Sequence, residues 1–288
     1  MFRSLAITVG LLCLASGCER TPVSLLATDP AAASPQLARD FDAAKTGTIR
    51  GNVRWDGPLP EVPPIQAVTT RQLSGRMIPN PYTPRIHPES RGVAGAVVFL
   101  EAVNLTRAKP WDLPPASIVV DEEQITVRMG DGPGLPAGVA RVGTPVHMVS
   151  ASPWHQMLRA RGAAYWTIPF PQPNRPCTRV FTKPGRVVFT NGAGNYWQSA
   201  TLFVDDHPYY TFTDEKGRFQ LQQVPEGSYT IKISLSNWQI AGQERDPETG
   251  LILRQQYQPA VIRSIPCTVQ AGKTSDLNPA FTTADFSP

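Results

Sequence analysis

Proline limits this chain more than any other residue type: 30 of its 288 residues are proline, about a tenth. Each proline removes a backbone donor and clashes with the carbonyl four residues back, so long helices are excluded over most of the length. What the chain offers instead is short alternating runs. Ile49, Val53 and Trp55 alternate with Arg50, Asn52 and Arg54, as a half-buried strand requires. Ala96-Val97-Val98-Phe99-Leu100 reads as a central strand, and Ile125, Val127 and Met129 alternate with Thr126 and Arg128. Val187-Val188-Phe189 and Leu202-Phe203-Val204 add two more, and Tyr229, Ile231, Ile233 and Leu235 alternate with Thr230, Lys232 and Ser234. Pro58 to Ser90 is proline-rich and aperiodic and reads as a long surface loop. Short helical turns are expected only near 36–44 and 155–162. Many short strands with Gly/Pro turns predict an all-β sandwich architecture.

Composition removes several classes. An apolar fraction of 41% supports real cores, and the length allows about two domains. No run of eighteen apolar residues follows the first twenty, which excludes a polytopic membrane protein. The 27 Lys+Arg and 23 Asp+Glu are scattered without a basic run, so no nucleic-acid partner is expected.

The first residues have a targeting form: Arg3, an apolar stretch from Leu5 to Leu14, then Ala15-Ser16-Gly17-Cys18. That ending resembles a bacterial lipobox, which implies a signal peptide over 1–17 and a lipid on Cys18. Glu19 follows the cysteine, and the implied location is the cell envelope with an outer-membrane anchor. Residues 18–46 read as a flexible lipidated tether. The mature chain then holds Cys177 and Cys267, which in an oxidising compartment suggest one disulfide, the other reading being two separate buried thiols.

Residues 211–235 carry Thr213-Asp214, Gly217 and Phe219, followed by Val224-Pro225, Gly227 and Tyr229. This pattern resembles the carboxypeptidase-regulatory-like, transthyretin-like domain, of carbohydrate-binding-like fold. The opening strands of that domain stand far upstream, at Gly47–Val53 and Gly95–Leu100. The resemblance therefore implies an Ig/transthyretin-like β-sandwich split into 47–114 and 206–288. The insertion at 115–205 resembles a cupredoxin, a Greek-key β-sandwich, through Gly143-Thr144-Pro145-Val146, Pro153-Trp154-His155-Gln156-Met157 and Phe181-Thr182-Lys183-Pro184-Gly185. Bacterial secreted proteins of the methylamine utilisation type share this split arrangement.

A blue-copper site uses two imidazoles, a thiolate and commonly an axial methionine. On the resemblance those positions fall on His155, Gly192, Asn195 and Gln198, of which only His155 is a ligand type suited to copper. No cofactor is therefore expected, and the copper site reads as lost. His147, Met148, His155 and Met157 form a second conceivable Cu(I) set, although His147 and Met148 would point to opposite faces of a strand. His87 reads as solvated, and His207 as locally hydrogen-bonded beside Asp205 and Asp206. No catalytic motif is present.

The expectation is a non-enzymatic, envelope-tethered binding or scaffold lipoprotein whose partner is a glycan, the cell wall or an envelope protein. Its candidate ligand aromatics are Tyr165, Trp166, Tyr196, Trp197, Tyr209 and Tyr210, with core packing as the competing role for each. The alternative is a periplasmic copper-binding or electron-transfer protein that uses His155 with a non-standard ligand set.

Overall fold

The computed structural model describes residues 38–69 and 72–286. The expected signal segment, Cys18 and the expected tether up to residue 37 lie outside the described residues. The chain is all-β: 25 strands and two 3-10 turns, Ala43–Lys45 and Thr283–Phe286, are formed among the described residues. No helix among them is long and apolar enough to cross a membrane.

Two cores form. One is built from both ends of the chain. Thr46–Asn52 lies between Arg218–Pro225, antiparallel to it, and Thr274–Leu277, parallel to it. The second layer runs in the order Tyr210–Phe212, Val97–Glu101, Gly227–Leu235, Val261–Val269. Alternate residues of both layers, among them Ile49, Val98, Leu100, Phe219, Leu221, Ile231 and Ile233, fill the space between. Trp55, Trp238 and Phe286 close one end, with Phe286 stacked on Trp238 at 4.4 Å.

Residues between 116 and 204 enclose the other core, which holds Ile118, Val127, Met148, Leu158, Phe189 and Leu202. One of its sheets runs Gly134–Leu135, Ile125–Met129, Ala116–Val120, Pro145–Ser150, Cys177–Val180. The other runs Ala137–Arg141, Ser199–Asp205, Gly185–Asn191, Gln156–Gly162, Trp166–Phe170. Each sheet contains one parallel pair among antiparallel neighbours, a consequence of strands crossing from one layer to the other.

The Thr213–Phe219 segment is not a hairpin. Tyr210–Phe212 pairs with Val97–Glu101, and Arg218–Pro225 pairs with Thr46–Asn52, so the turn carries the chain between layers. Its residues explain their own identities. Asp214 Oδ1 accepts from the backbone N–H groups of Lys216 and Arg218, both at 2.9 Å. Gly217 has φ +79°, and a Cβ there would come within 2.7 Å of Gly92 Cα. Buried Thr213 donates through Oγ1 to the Val93 carbonyl at 2.6 Å and accepts from the Ala96 N–H at 2.9 Å.

The structure departs from the sequence reading in three places. Pro58–Ser90 holds a hairpin, Ile65–Thr69 with Gln72–Ile78, whose register shifts between Ala67 and Thr69 and so hides its alternation. A second unexpected hairpin joins Ile240–Arg245 to Ile252–Tyr257. Residues 156–162 form a strand rather than a turn. Its inward positions are Gln156, Leu158 and Ala160 and its outward ones include Met157, so polarity does not track burial there.

The two cores meet at an aromatic junction. Tyr210 stacks on Phe99 at 5.1 Å, and Phe203 leans on both at 5.8 and 5.6 Å. Tyr210 donates its hydroxyl to Asp205 Oδ2 at 2.7 Å, and His207 Nε2 lies 3.4 Å from the same oxygen. Burial holds the His207 imidazole below its ordinary range, although Asp205 and Asp206 pull the other way.

Two outcomes follow from this framework. Thr213→Val, which keeps the shape and orphans the Val93 carbonyl and the Ala96 N–H, is expected to cost about 1–3 kcal/mol in urea unfolding. Because the folded pKa of His207 lies below the unfolded value of about 6.5, its contribution to stability is present above that pH and falls as pH drops through it. Thermal melts between pH 7.5 and 5.5 should show this slope, and His207→Gln should flatten it.

Candidate functional site

The positions expected to bear metal ligands lie at one end of the 116–204 core, where the structure places a neutral amide network. His155 is exposed, and the next residue, Gln156, turns inward at 2% exposure. Asn191, the last residue of Gly185–Asn191, donates Nδ2 to Gln156 Oε1 and to Gln198 Oε1, both at 2.7 Å. Gln156 Nε2 donates to Ser152 Oγ at 3.1 Å, and Gln198 Nε2 to the Asp121 carbonyl at 3.0 Å. Asn195 and Trp197 donate to the carbonyls of Glu122 and Glu123 at 3.3 and 3.0 Å. The side chains of the 191–198 loop are thus used to pin it to the turn at 121–123.

This donor set does not fit copper. The amide oxygens of Gln156 and Gln198 already accept hydrogen bonds, and neutral amides are poor copper ligands beside imidazole and thiolate. A Cβ on Gly192 would lie 2.6 Å from Arg159 Nε and 2.9 Å from Met157 Sδ, so those side chains occupy the space a thiolate would need. The second set does not converge either. His147 faces outward with Nδ1 2.9 Å from Thr178 Oγ1, whereas Met148 is fully buried in the core. Among the described residues no three His, Cys, Asp or Glu side chains gather as a metal group.

Of the two roles open to the six aromatics the structure gives core packing to most, and the expected disulfide is not formed. Tyr196, Trp197, Tyr209 and Tyr210 are buried, and Trp166 packs on Phe181 and Phe189 at 6.2 and 5.9 Å. Only Tyr165 of the six is open to solvent, at 83% exposure. The indole and phenol polar atoms explain the burial, since each of Tyr196, Trp197 and Tyr209 donates to a backbone carbonyl. Cys177 and Cys267 are both free. They belong to different cores, Cys177 on an edge strand beside the 116–204 core and Cys267 inside the other, and burial pushes both thiols up.

A cleft of about 470 Å³ opens beside the amide network, between the two cores. Arg161, Arg186, Thr190 and Ser199 line it from the outer face of one sheet. Pairing register explains why they share that face: Arg161 stands opposite Val188 and Thr190 opposite Ser199, while Arg186 and Val188 are two residues apart on one strand. The opposite wall is Tyr82, Asn237 and the Arg254–Gln258 stretch. Tyr82 meets Tyr257 edge-on at 4.5 Å, and Gln255 donates Nε2 to the Tyr257 hydroxyl at 2.7 Å. Burial pushes both phenols up, so they stay protonated near neutrality.

The cleft is cationic. No carboxylate lines it, and among the described residues Arg161, Arg186 and Arg254 form no ion pair. Desolvation by the walls lowers the Arg186 pKa from 12.5, with Tyr82 opposing it, and the guanidinium remains charged. A neighbouring hollow of about 450 Å³ shares Arg161 and Arg254 and adds Arg159 and Glu244. Exposed Tyr165 lies beyond the rim, its ring centroid 6.0 Å from the Arg161 guanidinium. Sequence reading missed this site. Its one local signal is Arg159-Ala160-Arg161, which puts two guanidiniums on one face only if the segment is a strand.

Substitution of Asn191 by Ala should destabilise the protein by roughly 3 kcal/mol, because it orphans the Gln156 and Gln198 amide oxygens. Chemical denaturation of the variant beside wild type checks this.

No family model and no curated protein matches the chain. Solved structures similar to part of it include the following two. A purple cupredoxin from Nitrosopumilus maritimus is 15% identical, with 31% of this chain and 98% of that chain covered, at a TM-score of 0.25. A heme-copper terminal oxidase dimer is 12% identical, with 36% and 78% covered, also at 0.25.

Proposed function

We propose that this protein is a non-enzymatic binding module, tethered at the cell envelope through a lipid on Cys18, and that it holds a carbohydrate or cell-wall ligand in the cleft between its cores. The observation that carries this reading is the lining of that cleft. Guanidinium, amide, hydroxyl and phenol groups converge there from both halves of the molecule. Planar amides and guanidiniums offer the paired donors and acceptors that vicinal hydroxyls require, and tyrosine combines a ring with a polar tip. The volume lies within the range of small-molecule sites. The absence of carboxylate, imidazole and thiol from the lining supports binding over turnover, since general acid–base chemistry needs a group that titrates near the working pH.

The test is a glycan array probed with the full-length protein and with Tyr257→Ala. Binding to a restricted set of glycans, weakened about tenfold by the substitution, is expected. Tenfold corresponds to about 1.4 kcal/mol. Absence of any bound glycan, or binding that ignores Tyr257 in a variant with an unchanged melting temperature, would count against the cleft as a sugar site.

A further inference from the structure

We infer that the ligand of the cleft presents an anionic group to Arg161, Arg186 and Arg254, so that the module selects acidic glycans over neutral ones; this rests on the binding reading above.

The first support is a contrast within the molecule. Several arginines elsewhere pair with carboxylates: Arg50 with Asp276 at 2.6 Å, Arg218 with Asp214 at 2.7 Å, Arg263 with Asp285 at 2.8 Å and Arg76 with Glu123 at 2.9 Å. In the cleft three guanidiniums on three different strands meet without one acidic lining residue. Their partners are neutral. Arg186 Nη2 reaches Thr201 Oγ1 at 3.5 Å, and the Gln256 amide, with its oxygen turned toward Arg254, accepts from Nη1 and Nη2 at 3.2 and 2.9 Å. A neutral acceptor orients a guanidinium without cancelling its charge, and Glu244, the cross-strand partner of Arg254, lines the neighbouring hollow rather than the cleft.

The second support is geometric. Arg161 and Arg186 project from adjacent strands of one rigid sheet, while Arg254 comes from the facing hairpin, so an anion between them would be approached from both walls. Guanidinium matches a carboxylate, sulfate or phosphate through two parallel N–H groups, and charge-assisted bonds of that kind are roughly twice as strong as neutral ones. Partial desolvation of Arg186 strengthens its attraction to an anion over what water would allow. The neighbouring hollow, with Arg159 beside Glu244, continues the groove past Arg161 and Arg254 and gives space for further sugar units.

Two measurements on the full-length protein test this. The first compares wild type, Arg186→Gln, Arg254→Gln and Tyr257→Ala on an array that carries neutral, uronic-acid, sulfated and phosphorylated glycans. The second titrates inorganic phosphate and follows the arginine Nε–H resonances. The expected result is that acidic spots dominate, that either arginine substitution weakens them at least tenfold, and that 0.5 M NaCl weakens them further. The kind of acid on the bound spots identifies the group. Neutral glycans that bind through Tyr257 and ignore both arginine substitutions would overturn the inference and leave the sugar-binding reading standing. Phosphate-induced shifts of the Arg186 and Arg254 resonances, with no glycan bound, would support the anion site and overturn the sugar. Neither glycan nor phosphate binding would overturn both.

Discussion

The stack of Tyr210 on Phe99, with Phe203 against both, is the contact on which the rest of the molecule depends. Phe203 belongs to the last strand of the 116–204 core, Phe99 to the central strand of the other, and Tyr210 begins the strand that returns the chain. The hydroxyl of Tyr210 is anchored on Asp205, which also faces His207. An aromatic contact can fix an angle between two sandwiches where a linker cannot, because offset rings and a directed hydrogen bond tolerate little sliding. The cleft lies between one sheet's polar outer face and Tyr82, Tyr257 and Arg254.

The same junction explains why the outer face of that sheet departs from ordinary surface composition. A solvated sheet face carries mixed charges that can pair with one another across strands. Here Arg161, Val188, Thr190 and Ser199 stand in register with no acidic residue among them. Like charges placed together on a rigid face repel. The proximity of Arg161 and Arg186 on that face is therefore a standing electrostatic cost that no carboxylate in the cleft lining offsets.

Much of the fold was legible in the sequence because its strands obey a period of two. Ile49–Trp55 alternates in composition and in burial alike, and Ile125–Met129 and Tyr229–Leu235 alternate in composition while Thr126 and Ser234 are buried as well. The turn at Asp214–Gly217 was legible for a different reason: its side-chain-to-backbone bonds and positive φ require those residue types. Legibility failed where polar residues face inward. Gln156, Asn191 and Gln198 are buried in mutual hydrogen bonds, and a buried amide looks like a surface residue when only composition is read. The strand at 156–162 was lost for that reason, and Arg159 and Arg161 with it. The burial of Tyr196 and Trp197 against Ile65 and Ala67 was invisible for another, since the covering hairpin comes from a proline-rich segment with broken alternation. Pairing of Cys177 with Cys267 failed because a count of thiols carries no information about which core each one enters.

The amide network and the arginine cleft meet at one end of the 116–204 core. Gln198 belongs to both: its side chain closes the hydrogen-bond chain from Ser152 through Gln156 and Asn191 to the Asp121 carbonyl, and it also lines the cleft wall. Neutral amides at this end keep the loop at 191–198 rigid through hydrogen bonds alone, with no charge and no metal required to hold it. They also leave the local field to the arginines. A carboxylate or thiolate at Gly192 or Gln198 would stand beside Arg159 or the cleft arginines and offset their charge. A loop without charge is thus the condition under which Arg159, Arg161 and Arg186 keep their positive potential for something outside the chain.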